Sequence, residues 1–147
     1  MAFRFRLETV LRVKRRLEEA AQMELAQLKN RKGNLEQELK GLKSRLEQLR
    51  QELSEKLGRG MKADEFLLAQ QAAGALEARM DSLRKELSKL DLEIRGARHR
   101  LTQAYRERKL VENLKQRHRS RYVLEQARAE QNELDELASI TRARDMV

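Results

Sequence analysis

Between residues 25 and 53 leucine returns at alternating intervals of three and four. The positions are Leu25, Leu28, Lys32, Leu35, Leu39, Leu42, Leu46, Leu49 and Leu53, and eight of the nine are leucine. This is the a/d spacing by which one helix lays a continuous apolar seam against another. Upstream the same register runs through Ala21, Glu18, Lys14, Leu11 and Leu7, a poorer seam, with Val10, Val13 and Leu17 lying off it. A second run steps by three and four through Phe66, Ala69, Ala73, Leu76, Met80, Leu83, Leu87, Leu90, Ile94, Ala97, Leu101, Ala104, Arg108 and Val111. Thirteen of those fourteen are apolar. Gly33, Gly41, Gly74 and Gly96 all miss the seams, so they weaken the helices without opening a core.

Composition agrees with two seams and nothing more. Only 39% of the 147 residues are hydrophobic and 3% aromatic, against 39% charged, which is coiled-coil usage rather than that of a compact globule. Proline is absent, so no residue is obliged to break a helix. Cysteine is absent too, which excludes disulfides, thiolate metal sites and a cysteine nucleophile. No apolar run approaches the roughly 20 residues that span a bilayer, and the opening MAFRFRLETVLRVKRR has no signal-peptide core. These features predict a cytosolic protein.

The stretch LGRGMKAD, Leu57 to Asp64, separates the seams. Gly58 and Gly60 offer backbone conformations that a helix does not use and suit a helix C-cap. Asp64 suits the N-cap of the next helix, with Glu65 in its first turn. The expectation is all-α: an antiparallel coiled-coil hairpin forming a single domain. Its first helix covers about 7–57, its turn 58–63, its longer second helix about 64–138, and residues 139–147 form a flexible tail. Folding back lets one seam bury the other within one chain, which predicts a monomer when free; a parallel dimer of one continuous helix would have to carry two glycines at its centre. Helices of these lengths measure roughly 75 Å and 110 Å. Antiparallel pairing then sets Leu53 near Phe66 and Leu7 near Leu114. Beyond Leu114 the second helix has no partner, and Arg117, His118 and Arg121 stand where apolar residues would be expected.

Charge is concentrated where the partner runs out. The chain carries +9, residues 95–121 alone +8, and residues 1–16 +5. In an antiparallel pair these segments lie side by side, away from the turn. Such a field attracts an acidic partner, speeds its association and weakens with salt.

Nothing in the sequence supplies chemistry. His99 and His118 are isolated from other metal-ligand types, and the GRG of the turn lacks the spacing and Lys-Ser/Thr of a phosphate loop. A two-helix coil offers no obvious concave site in which catalytic groups stay dry. The reading is a non-enzyme without cofactor, metal or small-molecule substrate. A pI near 10.2 makes nucleic acid a competitor, but the basic segments interleave almost no aromatics for stacking and match no recognised module.

The two ends carry a resemblance. FRFRLETVLRVKRRLEEAAQMEL resembles the opening of the FliJ family, coiled-coil proteins of the bacterial flagellar type III export apparatus, and ENLKQRHRSRYVLEQARAEQNELDELA resembles its ending. The turn glycine and Gln70, Gln71, Leu76 and Glu77 also match, so the resemblance spans Phe3 to Ala138. It implies an antiparallel coiled coil similar to the central stalk of rotary ATPases. It further implies association with the hexameric export ATPase, contact with the cytoplasmic domain of the export-gate membrane protein, binding of export chaperones, and a cytoplasmic location at the periphery of the inner-membrane export apparatus.

Carried over by the Gln-Gln…Leu-Glu match, the gate contact falls on Ala72, Leu76, Arg79 and Leu83, although Ala69, Ala72 and Ala73 stand where larger apolar or aromatic residues are common in the family. Where this resemblance meets the clustered charge, the expected docking residues for an acidic-lined ATPase ring are Arg12, Arg15, Arg16, Arg117, Arg119 and Arg121. The alternatives are a basic coiled coil that binds nucleic acid and a generic scaffold.

Overall fold

The computed structural model describes residues 2–146. It holds two helices, α1 (Glu8–Arg59) and α2 (Ala63–Asp145), and no strand among the described residues. The architecture is an all-α helical hairpin with the longer helix second. The chain divides into two compact units: Ala20–Leu101, and Met1–Glu19 together with Thr102–Val147.

In the unit Ala20–Leu101 the helices run antiparallel on either side of the turn. Glu24 meets Arg100, Lys32 meets Asp91, Glu38 meets Arg79 and Arg50 meets Glu77. The buried cluster is Leu25, Leu90, Ile94 and Ala97, with Leu28, Leu35 and Leu101 packed on it. Every seam position from Leu25 to Leu53 and from Phe66 to Leu101 is buried or half-buried. Lys32, the one polar residue among the seam positions from Leu25 to Leu53, is held by Asp91 at 2.9 Å. That hydrogen bond, and then the Asp91 charge, raise its pKa above the ordinary lysine value.

The turn corrects two details of the sequence reading. Gly58 lies inside α1, while Gly60 alone takes a positive φ, 95°. The Gly60 amide donates back to the Leu57 carbonyl at 3.4 Å, the inner bond of a Schellman-type cap. At the start of α2 the Phe66 amide donates to the Lys62 carbonyl, so the helix begins one position before Asp64. Asp64 and Glu65 sit in the first turn, where their charges favour the helix dipole.

In the other unit, the start of α1 pairs antiparallel with α2: Glu8 meets Lys115, Lys14 meets Glu107, and Glu18 meets Arg108. Leu11 is fully buried, and Val10, Val13 and Leu17 are exposed, as their places off the seam require. The pairing reaches further along α2 than Leu114. Phe5 is buried and stands edge-on to His118 at 5.7 Å, and Phe3 lies 5.6 Å from Tyr122. Before α1 begins the chain is not helical. An extended residue advances about 3.3 Å against 1.5 Å in a helix, so a few residues cover more than a turn of α2. From Val123 onward every described residue is exposed, yet α2 continues past Ala138 to Asp145, where the sequence reading placed a tail. No proline or glycine interrupts that segment.

No helix among the described residues is long and apolar enough to cross a membrane.

Candidate functional site

Within the unit that joins Met1–Glu19 to Thr102–Val147, a basic surface is built by subtraction. Lys14 donates to Glu107 at 2.9 Å, Lys115 to Glu8 at 2.8 Å and Arg15 to Glu112 at 3.3 Å. Arg108 donates through Nη1 to Glu112 at 2.6 Å, and through Nε and Nη2 to Glu18. Glu8, Glu18, Glu107 and Glu112 are thereby occupied. The hydrogen bond from Lys115 holds the Glu8 carboxyl below the ordinary glutamate range, with Lys115, Arg12 and Arg15 adding their charges. The hydrogen bond to Glu18 raises Arg108 in turn.

Of the six arginines expected to face an acidic ring, Arg15 is thus engaged within the unit. Arg12, Arg16, Arg117, Arg119 and Arg121 are exposed and make no direct ion pair among the described residues. Arg119 also borders an open groove with Phe3, Arg4, Phe5, Glu8 and Lys115. The sequence reading missed the two phenylalanines as structural parts of this surface. The Phe-Arg-Phe-Arg alternation, period two rather than 3.6, was the available signal.

The second candidate lies in the unit Ala20–Leu101. Ala72, Leu76 and Arg79 line an open groove of about 540 Å³ together with Leu42, Arg45, Gln48, Leu49, Glu52 and Ala75. On the α2 side the groove is floored by small residues, Ala72 and Ala75, which leave space beside the first helix. Arg79 is anchored by two hydrogen bonds to Glu38, at 2.9 and 3.3 Å. Leu83 does not belong to this surface. It is 0% exposed, a part of the core. The α1 side of the groove, Leu42, Arg45 and Leu49, was missed because the motif match pointed to one helix. The antiparallel register that sets Leu7 near Leu114 places Arg45 near Leu76 and would have found this side.

Among the described residues no group of three or more His, Cys, Asp or Glu side chains could hold a metal ion. His118 packs against Phe5 instead.

Two helices packed as a hairpin, the second longer, are what the resemblance of the ends implied. The family described as "Flagellar FliJ protein" matches residues 3–146. The chain belongs to the FliJ family. A comparison with curated proteins gives no match. Among solved structures, CT670 of Chlamydia trachomatis, described as a proposed YscO homolog, is similar at 20% identity and a TM-score of 0.46, with 96% of each chain covered. As a FliJ-family protein, this one keeps both ends of its sequence within the matched span, including Phe3, Phe5 and the unpaired arginines.

Proposed function

We propose that this protein is an accessory factor of flagellar protein export that performs no chemistry itself. In this reading the basic unit docks on the hexameric export ATPase and promotes its assembly and coupling. The groove around Ala72, Leu76 and Arg79 meets the cytoplasmic domain of the export gate, and export chaperones bind elsewhere on the coil. The protein then works in the cytoplasm at the periphery of the inner membrane. The observation that carries this reading is the family match over residues 3–146. The five arginines left without a direct ion pair support the ATPase arm, since fixed positive charge accelerates association with an acidic surface. The exposed helix from Val123 to Asp145 supports it as well: most helical stability in proteins comes from packing an apolar face, and this segment packs none, so a partner that orders it is expected.

The test is a pull-down with an ATPase assay, using the export ATPase of the same organism. Arg12, Arg16, Arg117, Arg119 and Arg121 are reversed to glutamate in the control. Binding with stimulated ring formation or hydrolysis, lost in the variant and weakened by salt, is expected. An active ATPase that neither binds nor responds overturns the reading and brings the nucleic-acid alternative forward.

A further inference from the structure

One face of α2 takes no part in the pairing with α1, and it includes Arg117 and Arg121 of the basic surface. At about 100° per residue, Arg106, Leu110, Arg117, Arg121, Leu124 and Arg128 fall within one narrow stripe, with Lys109 at its edge. The stripe is roughly 33 Å long and points away from the side of α2 that meets α1. Its cations are exposed and make no ion pair among the described residues. The carboxylates in the same span lie off it. Glu107 and Glu112 are held by Lys14, Arg15 and Arg108, and Glu125 sits roughly 80° round the helix. Two leucines interrupt the cations in full contact with water, Leu110 at 70% and Leu124 at 53% exposure.

A row of cations alone is often only a solvated face; the leucines decide against that. An exposed Leu110 gains nothing from water, and a phosphodiester backbone has no apolar matter to receive it. The two leucines stand fourteen residues apart, about 21 Å, with cations between them. That is too sparse for a partner helix, which needs an apolar contact every three or four residues. A surface that is anionic at its boundary and apolar just beneath takes both features together. The arginines meet headgroup phosphates, and each leucine dips singly between acyl chains.

We infer that this stripe of α2 is a contact surface for an anionic lipid bilayer, on which the helix lies flat. The contact is electrostatic first and only marginally hydrophobic, so it is reversible and salt-sensitive. It does not depend on the docking of the ATPase, which is absent from the test below.

The test uses the full-length protein and flotation with vesicles of phosphatidylcholine, alone or with 30 mol% phosphatidylglycerol, as the order of anionic content at which polybasic segments bind. Partitioning onto the anionic vesicles and not the neutral ones is expected. Replacing Arg106, Lys109, Arg117, Arg121 and Arg128 with glutamine should lower it by about tenfold or more. Removing equal charge at Lys29, Lys40, Lys43, Lys56 and Lys62 should lower it less than about threefold, because only stripe charges meet the surface. The chain has no tryptophan, so Leu110→Trp is a clean probe. Its emission should shift to the blue on anionic vesicles, and that of Leu17→Trp, at an exposed leucine on α1, should not. Equal binding to neutral vesicles, equal loss in the two charge-removed variants, or an unmoved Leu110→Trp emission would each overturn the inference. So would binding to duplex DNA without binding to vesicles. Circular dichroism of each variant separates loss of contact from loss of helix.

Discussion

Arg108 crosses from α2 to grip Glu18 on α1, and the two side chains are only 18% and 12% exposed. It is the single charged residue in the second seam, and its counterpart stands at a polar position of the first. A half-buried pair of this kind costs desolvation and repays it only when both partners are present. Arg108→Leu should therefore lower the melting temperature, because Glu18 is left without its partner. Replacing both, Arg108→Leu with Glu18→Leu, should recover the loss or exceed it by extending the leucine seam. Thermal unfolding by circular dichroism of the two variants decides; a double variant less stable than the single would contradict this account.

Leu83 and Leu11 are both fully buried, one in each unit. Either leucine truncated to alanine should cost about 2–5 kcal/mol, from the lost transfer energy and the cavity left behind. Val13→Ala, at an exposed position, should change stability by no more than about 0.5 kcal/mol. Urea unfolding of the three variants provides the comparison. A Leu83→Ala protein as stable as Val13→Ala would mean that the seam is not where the structure places it.

The turn glycines should behave oppositely. Gly60→Ala forces a side chain into a positive φ and should destabilise by about 1–2 kcal/mol. Gly58 lies in a helix with nothing within 4 Å of the added methyl, so Gly58→Ala should stabilise by up to about 1 kcal/mol. The difference in denaturation midpoint between the two variants is the measurement, and equal effects would refute the assigned cap.

Acid should loosen the start of α1. Glu8 has its pKa lowered in the folded state, first by the hydrogen bond from Lys115. A lowered carboxylate stabilises the fold fully above its unfolded pKa of about 4.3, and that contribution drains away as pH falls through the folded value. Lys32 has the opposite sign. Its raised pKa contributes below the unfolded value of about 10.4 and is lost as pH rises through the folded one. Amide exchange or backbone NMR at Leu11 should thus respond to acid in the wild type and much less in Glu8→Gln, with no response near neutrality. A midpoint near neutral pH would implicate a histidine instead.

The helical hairpin was legible because its determinants are local and repeated. A leucine at every third or fourth position fixes which face is buried whatever the partner, and the observed burial of Leu25–Leu53 and Phe66–Leu101 follows it residue by residue. The basic arginines were legible as charge, but their availability was not. That Arg15 is consumed by Glu112 while Arg16 is not depends on the rotation of one helix against the other. Leu83 and Leu76 also differ. They lie on nearly one face of α2, but Leu76 stands beside Ala72 and Ala75 in the wall of a groove while Leu83 is core. Phe3 and Phe5 were hidden by reading everything at helical period.

Of the residues expected to dock on an acidic ring, the five left without a direct ion pair among the described residues, Arg12, Arg16, Arg117, Arg119 and Arg121, are all arginines. A guanidinium presents a planar fork of donors that matches both oxygens of a carboxylate at once. An attachment made through such groups is consequently directional as well as electrostatic. It can be loosened by salt, by a competing polyanion or by removal of the acidic group opposite, and lysines put in the same places would keep the charge while losing the fork.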